Sequence, residues 1–254
     1  MNKRFEGRTA LVTGATSGIG RATLKMLLAG GARVIGTGRR EERLNSLKDE
    51  AQTDALLTRR LDMMDVDAVD NFWDALPGEF SPDILINNAG LALGLSGAAS
   101  ASLADWDQMI ATNVTGLVHL TRAALPSLQK KPRADVVNIS SVAATYPYPG
   151  GNTYGGTKAF VQQFSLNLKA DLLGSSVRVT SVEPGMTDTE FSTVRFEGDK
   201  EKADHVYDGM KPLSGEDVAQ VIGDILALPS HVNINRVELM PVQQAFSPFA
   251  VHRG

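Results

Sequence analysis

The chain has 254 residues, a formal net charge of −4, 43% apolar and 21% charged residues, and no cysteine. That composition suits a soluble globular protein with a substantial core. It excludes disulfides, thiolate metal sites and a cysteine nucleophile, and it offers no electrostatic case for nucleic acid or an anionic membrane. The opening Met1-Asn2-Lys3-Arg4-Phe5-Glu6-Gly7-Arg8 lacks the apolar core of a signal peptide. No apolar run approaches the ~20 residues of a membrane span, so a cytoplasmic location is expected.

Short β-rich runs alternate with helical patterns along most of the chain. Strands are expected at 9–13, 33–37, 56–61, 84–87, 135–140, 177–182 and 237–239. Helices are expected at 21–29, 40–52, 66–76, 103–128, 154–173 and 216–228. This rhythm requires right-handed crossovers and a parallel sheet covered on both faces. With no linker and no internal repeat, residues 1–254 read as one doubly wound α/β domain. The segment at about 186–213 breaks the rhythm. It follows the last central strand, where an insert can cover a ligand lying outside the carboxyl ends of the strands.

Between the first strand and its helix lies Thr13-Gly14-Ala15-Thr16-Ser17-Gly18-Ile19-Gly20. Glycines there let the backbone approach a pyrophosphate, and the helix N-terminus supplies N–H groups and a favourable dipole. The same run without a ligand would be a plain glycine-rich turn. The second strand ends Gly36-Thr37-Gly38-Arg39-Arg40, with no acid and two guanidiniums. A carboxylate would hold the ribose 2′-hydroxyl of NAD; arginines accommodate the 2′-phosphate of NADP, so NADP(H) is the expected cofactor. A solvated basic turn is the alternative. Asp62 ends the third strand and can meet the adenine edge, and Asn87-Asn88-Ala89-Gly90 ends the fourth, where a chain passing close to a cofactor needs small residues.

Tyr154 and Lys158 are four residues apart, so on a helix they share a face. An ammonium beside a phenol favours the phenolate and makes the hydroxyl able to give and take a proton. Together with the glycine loop, the pair implies carbonyl–alcohol redox chemistry. The four histidines, His119, His205, His231 and His252, are scattered without ligand spacing, so no metal site is expected.

The glycine loop, Asn87-Asn88-Ala89-Gly90, Asn113 in Thr-Asn-Val-Thr-Gly, Ser140-Ser141, Tyr154-x-x-x-Lys158 and Pro184-Gly185 occur in an order and spacing that resembles the short-chain dehydrogenase/reductase family. The resemblance covers essentially the whole chain and implies a single Rossmann-type, doubly wound, parallel seven-stranded sheet with helices on both faces. It implies that Tyr154 is the catalytic acid/base and that Lys158 lowers its pKa and binds the nicotinamide ribose. Ser141, thirteen residues before the tyrosine, would polarise the carbonyl, and Asn113 would hold a relay water. Thr16, Ser17, Asn88, Ala89 and Gly90 would flank the cofactor, with Pro184, Gly185, Thr187 and Thr189 at its nicotinamide end. Helix faces around 105–125 and 154–173 resemble the family's subunit contacts, which implies a homodimer or homotetramer.

Within that family, Thr37-Gly38-Arg39-Arg40, the Pro-Tyr-Pro-Gly-Gly-Asn run before Tyr154, the stretch from Glu190-Phe191 to Arg195-Phe196 and the Met-Pro ending resemble one group. It comprises the NADP-dependent serine and 3-hydroxy acid dehydrogenases and the sulfoacetaldehyde reductases. Their small anionic aldehyde or hydroxy acid demands a cation near Tyr154. Arg195, with Phe191 and Phe196 beside it, is the expected anion anchor, although a surface arginine would read the same. Tyr148, between two prolines, can project its hydroxyl into the pocket or simply pack in its turn. Phe249 in the apolar tail can cap the pocket, its own or a neighbour's, or pack in an interface. Because a sulfonate wants donors from several directions, NADPH-dependent reduction of sulfoacetaldehyde to isethionate is the leading expectation. Oxidation of serine-like 3-hydroxy acids is the alternative, and a non-catalytic NADPH-binding sensor is the alternative of another kind.

Overall fold

The computed structural model describes residues 3–195, 199, 201, 205–246 and 250–253. Seven strands form one sheet: β1 (Thr9–Val12), β2 (Arg33–Gly38), β3 (Leu56–Arg60), β4 (Ile84–Asn87), β5 (Ala134–Ile139), β6 (Val177–Pro184) and β9 (Arg236–Leu239). Their order is β3-β2-β1-β4-β5-β6-β9, and every pairing is parallel. All seven expected strands are present, within a residue or two of their expected ends. The chain starts at β1 in mid-sheet, winds out to β3, then reverses through β4. That reversal opens a crevice above β1 and β4 at the carboxyl ends of the strands.

The sheet is buried on both faces because each strand feeds two cores. On β1, Ala10 and Val12 pack with Leu24 and Leu27 of α1 (Gly18–Ala29) and with Val218 and Ile222 of α8 (Gly215–Ala227). Leu11, between them, points the other way. It joins Val69 of α3 (Val66–Phe72), Leu120 of α5 (Gly116–Leu128) and Leu168 of α6 (Asn152–Asp171). Alternation of side chains along a strand therefore serves two helical layers, each fully buried aliphatic contributing about 1.5–3 kcal/mol. At the amino ends of the strands, Asp135 accepts from Arg178 Nε (2.6 Å) and Arg8 Nη2 (2.9 Å), while Asp83 accepts from Arg8 Nε (2.5 Å). These buried ion pairs tie β1, β4, β5 and β6 together.

Three helical expectations need correction. The helix expected at 66–76 ends at Phe72. The first helix begins at Gly18, not at residue 21, so the last two glycines of the loop lie inside its first turn. The helix expected at 103–128 is interrupted: α4 (Leu103–Ile110) passes into a π-helical turn at Ala111–Thr115 before α5. Asn113 sits in that turn with its side chain bound outside the helix, to Leu91 and Thr157, which supplies a local reason for the widening. Within the 186–213 segment, β7 (Thr187–Asp188) pairs with β8 (Leu213–Ser214), and α7 (Glu190–Arg195) leans over the crevice. Helix α2 (Glu41–Ala51) follows β2.

Candidate active site

A cavity of about 370 Å³ lies at the carboxyl ends of the strands. Gly14, Thr16, Ser17, Gly18 and Ile19 line one end of it, with Arg39, Arg40 and Asp62 beside them. Asn88, Ala89 and Gly90 form the middle; Ser141, Tyr148, Tyr154, Lys158, Pro184, Gly185, Thr187, Thr189 and Arg195 line the rest. The fold thus brings nearly every expected site residue to one crevice. Two lie behind its wall: Gly20 under the glycine loop, and Asn113, buried beneath Gly90. Phe196 and Phe249 lie outside the described residues.

The glycine loop fits a pyrophosphate. Gly14 holds φ +65°, and a Cβ there would stand 2.9 Å from Ala89 Cα, so only glycine fits. A Cβ on Gly20 would run into the Gly14 carbonyl. Ser17, the residue before α1, makes no capping bond, and no acid occupies the first turn. The positive end of that helix is therefore left for an anion in the crevice. Asn88 holds the loop in shape, its Nδ2 donating to the carbonyls of Thr13 (2.9 Å) and Gly14 (3.2 Å).

Ser140 and Ser141 separate clearly. Ser140 Oγ donates to the Lys158 carbonyl at 2.7 Å and so braces α6. Ser141 Oγ accepts from Ala143 N at 3.1 Å and donates to the Pro184 carbonyl at 3.5 Å. The carboxamide of Asn113 is fully engaged, accepting from Leu91 N (2.9 Å) and donating to Leu91 O (2.8 Å) and Thr157 Oγ1 (3.1 Å). It fixes the loop after β4 against α6.

The expectation that Tyr154 and Lys158 share a helix face holds. Both lie on α6, with Lys158 Nζ 5.8 Å from the centre of the Tyr154 ring. Burial pushes the Tyr154 phenol up to about 12; the opposing cation is Arg195, helped by the Ser141 hydrogen bond. The Lys158 ammonium donates to the Ile139 carbonyl at 2.9 Å, and burial pushes its own pKa down to about 8.

Arg195 occupies the position expected of an anion anchor. Its guanidinium lies 5.0 Å from the Tyr154 ring centre, 5.2 Å from Phe191 and 5.9 Å from Tyr148, and Nη2 donates to Tyr148 Oη at 3.2 Å. Its Nε is buried with no hydrogen-bond partner among the described residues. Three cleft residues were given no individual role by the sequence reading. Gln244 Oε1 accepts from Met186 N at 2.8 Å, which leaves its amide nitrogen as the donor end. Tyr207 Oη donates to the Thr187 carbonyl (2.8 Å) and meets Ser192 Oγ (2.6 Å), fastening the cover segment to itself. Glu190 reaches Arg43 and Arg40 across the crevice.

Comparison with known proteins agrees with this geometry. The family model for short chain dehydrogenases matches residues 8–200. The NADP-dependent 3-hydroxy acid dehydrogenase YdfG of Salmonella typhi is 50% identical over 246 residues, covering 96% of this chain and 99% of that protein. Serine 3-dehydrogenase of Agrobacterium fabrum is 51% identical over 246 residues, covering 96% and 98%. A solved structure described as the closed form of serine dehydrogenase complexed with NADP+ superposes with a TM-score of 0.92 at 49% identity, covering 97% and 100%. Those names support the serine and 3-hydroxy acid alternative over sulfoacetaldehyde, which none of them mentions. With family-model coverage over most of its length and relatives at half identity, the chain belongs to the short-chain dehydrogenase family.

Proposed function

We propose that this protein is an NADP-dependent dehydrogenase that interconverts small 3-hydroxy acids, serine among them, with their 3-oxo counterparts. On this reading residues 1–254 act as one cofactor-binding domain with 186–213 as its cover. The observation that carries the substrate class is the Arg195 guanidinium 5.0 Å over the Tyr154 ring, with a buried Nε lacking a partner among the described residues. A substrate whose hydroxyl sits at Tyr154 then has a cation beside it to take its carboxylate. In a 3-hydroxy acid only one carbon separates the carbinol from the carboxylate, which suits so close a pair.

The glycine loop and the N-terminus of α1 would hold the pyrophosphate, and Arg39 and Arg40 the 2′-phosphate. Bound NADP(H) supplies or accepts the hydride. The chain's own residues manage the proton and the developing charge. In reduction Tyr154 Oη gives its proton to the carbonyl oxygen; in oxidation it takes the proton back. Ser141 Oγ donates to the same oxygen and stabilises negative charge there. Lys158 holds the α6 end of the site against β5, and its ammonium is placed for the ribose side of the crevice. Asn113, by fixing the 91 loop on Thr157, keeps that wall in register with α6.

A second reading, reduction of sulfoacetaldehyde to isethionate, draws on the spread of donors. Arg195, Tyr148 and the amide of Gln244 come from three different parts of the chain, and a sulfonate has three acceptor oxygens. Exposed Leu103, Ile110 and Phe160 on α4 and α6 support the expected dimer or tetramer.

The test is kcat/KM for serine and 3-hydroxypropionate oxidation, and for malonate semialdehyde, sulfoacetaldehyde and acetaldehyde reduction, with each nicotinamide cofactor. The proposal expects the carboxylates to lead and NADP(H) to exceed NAD(H) by at least about tenfold, the worth of one charge-assisted hydrogen bond. Clear preference for sulfoacetaldehyde would select the second reading. Equal rates with neutral acetaldehyde would remove the anionic-substrate reading altogether.

A further inference from the structure

Glu190, the first residue of α7, is bound to Arg40, one of the two arginines expected to recognise the cofactor, and to Arg43. Its carboxylate accepts from Arg43 Nη1 at 2.5 Å and from Arg40 Nη1 at 3.5 Å. The other terminal nitrogen of Arg40 donates to Thr16 Oγ1 of the glycine loop at 3.3 Å. One guanidinium therefore touches the pyrophosphate loop, the turn after β2 and the cover helix. Glu190 lines the same cavity as Arg39 and Arg40. Burial works against its ionisation, but the Arg43 hydrogen bond and the charges of Arg43 and Arg40 outweigh that and hold its pKa below the usual glutamate value. The position expected for a 2′-phosphate thus already carries an anion from the chain itself.

The two anions compete at Arg40. Glu190, Arg40 and Arg43 are each close to two-fifths exposed, so their ion pairs are of the weak, solvent-screened kind. A phosphate monoester carries up to two charges and three acceptor oxygens, and it matches the guanidinium fork better than one shared carboxylate oxygen. We propose that Glu190 is a specificity-setting residue that acts as a placeholder for the 2′-phosphate on Arg40 and is displaced from it when NADP(H) binds. This rests on the NADP reading above. The consequence reaches the substrate side. The helix that Glu190 begins ends at Arg195, over Tyr154, and carries Phe191 between them. Displacing Glu190 frees the cofactor end of α7, so the presence of the 2′-phosphate is transmitted along that helix to the anion anchor.

Isothermal titration with 2′,5′-ADP and 5′-AMP, on wild type and Glu190→Gln, tests this without turnover. Glutamine keeps the shape and removes the charge. The expected result is 2′,5′-ADP binding about fivefold tighter in Glu190→Gln, the size of one exposed ion pair, with 5′-AMP moving less than about twofold. Unchanged or weaker 2′,5′-ADP binding, with wild type still preferring it over 5′-AMP, would overturn the placeholder and leave the NADP reading intact. Equal wild-type affinity for both nucleotides would remove the 2′-phosphate subsite and the placeholder with it. Amide exchange over 190–195 gives a second readout. It should quicken in wild type on adding 2′,5′-ADP but not 5′-AMP, and be quick from the outset in Glu190→Gln. No change in either protein would overturn the transmission along α7.

Discussion

Replacing Arg195 with alanine separates anion recognition from proton transfer. The guanidinium has two sets of partners: three aromatic rings at 5.0, 5.2 and 5.9 Å, and the Tyr148 hydroxyl at 3.2 Å. Its buried Nε is left over, and that is the donor an incoming carboxylate would satisfy. A hydrogen bond to a charged group is worth about 1.5–3 kcal/mol, so kcat/KM for malonate semialdehyde should fall about 10- to 150-fold in Arg195→Ala. Acetaldehyde has nothing for Arg195 to hold. At neutral pH Tyr154, pushed up to about 12, is protonated with or without the arginine, so acetaldehyde reduction should change by less than about threefold. Folding should suffer little, because the lost ring contacts, about 0.5–2 kcal/mol each, are offset by relief of the buried Nε that lacks a partner among the described residues. Initial rates of NADPH oxidation with both aldehydes decide the matter. An equal fall for the two substrates would refute the anchor and make Arg195 a prop for Tyr154; an unchanged carboxylate rate would refute any role in recognition.

Burial lowers the Lys158 pKa from 10.5 to about 8, so in that window the unfolded chain holds a proton that the folded chain lacks, and stability contributed by this group rises with pH. Lys158→Met should therefore melt above wild type at pH 7, with an advantage that shrinks as the pH is taken from 8 towards 10; a constant difference in Tm would refute this. Asp135→Asn leaves Arg178 and Arg8 without their buried carboxylate and should cost about 3–5 kcal/mol, measured by urea unfolding, with kcat unaltered because the cluster lies at the opposite end of the sheet. Gly14→Ala forces a Cβ to 2.9 Å from Ala89 Cα at φ +65° and should weaken NADPH binding at least about tenfold by fluorescence titration, through strain of about 1–3 kcal/mol; undiminished binding would show that the loop tolerates the distortion.

What the sequence discloses about this molecule follows distance along the chain. Strand and helix periods are local, so the seven strands of the central sheet appear where apolar runs place them. Tyr154 and Lys158 are one helical turn apart, and Thr13 to Gly20 form one loop; such constellations are visible before folding. Contacts between distant segments are not. The π-helical turn at Ala111–Thr115 is held by Asn113 reaching Leu91, 22 residues back, and Thr157, 44 residues on. Glu190 meets Arg43 across 147 residues, and Gln244 meets Met186 across 58; nothing local to either names its partner. The environment of the Tyr154 phenol is divided in the same way. Spacing identifies the nearby ammonium, whereas burial and the guanidinium of Arg195 arrive only with tertiary structure.

That guanidinium couples recognition to proton transfer. It is the largest influence opposing burial at the Tyr154 phenol. A carboxylate docked on Arg195 cancels its charge, so the phenol grips its proton more firmly beside an anionic substrate than beside a neutral one. For reduction this is favourable, because a donor that is still protonated is what the carbonyl oxygen requires. For oxidation it is a handicap, since Tyr154 must first lose that proton. The coupling is measurable with a neutral alcohol such as propan-1-ol, whose kcat/KM reports ionisation of the unliganded site. Oxidation should rise with pH as the phenolate forms, and the rise should move to higher pH in Arg195→Ala, where the stabilising cation is gone. A profile that stayed in place would mean that the guanidinium, although 5.0 Å from the ring, is electrostatically silent at the hydroxyl, and that Lys158 sets the acid after all.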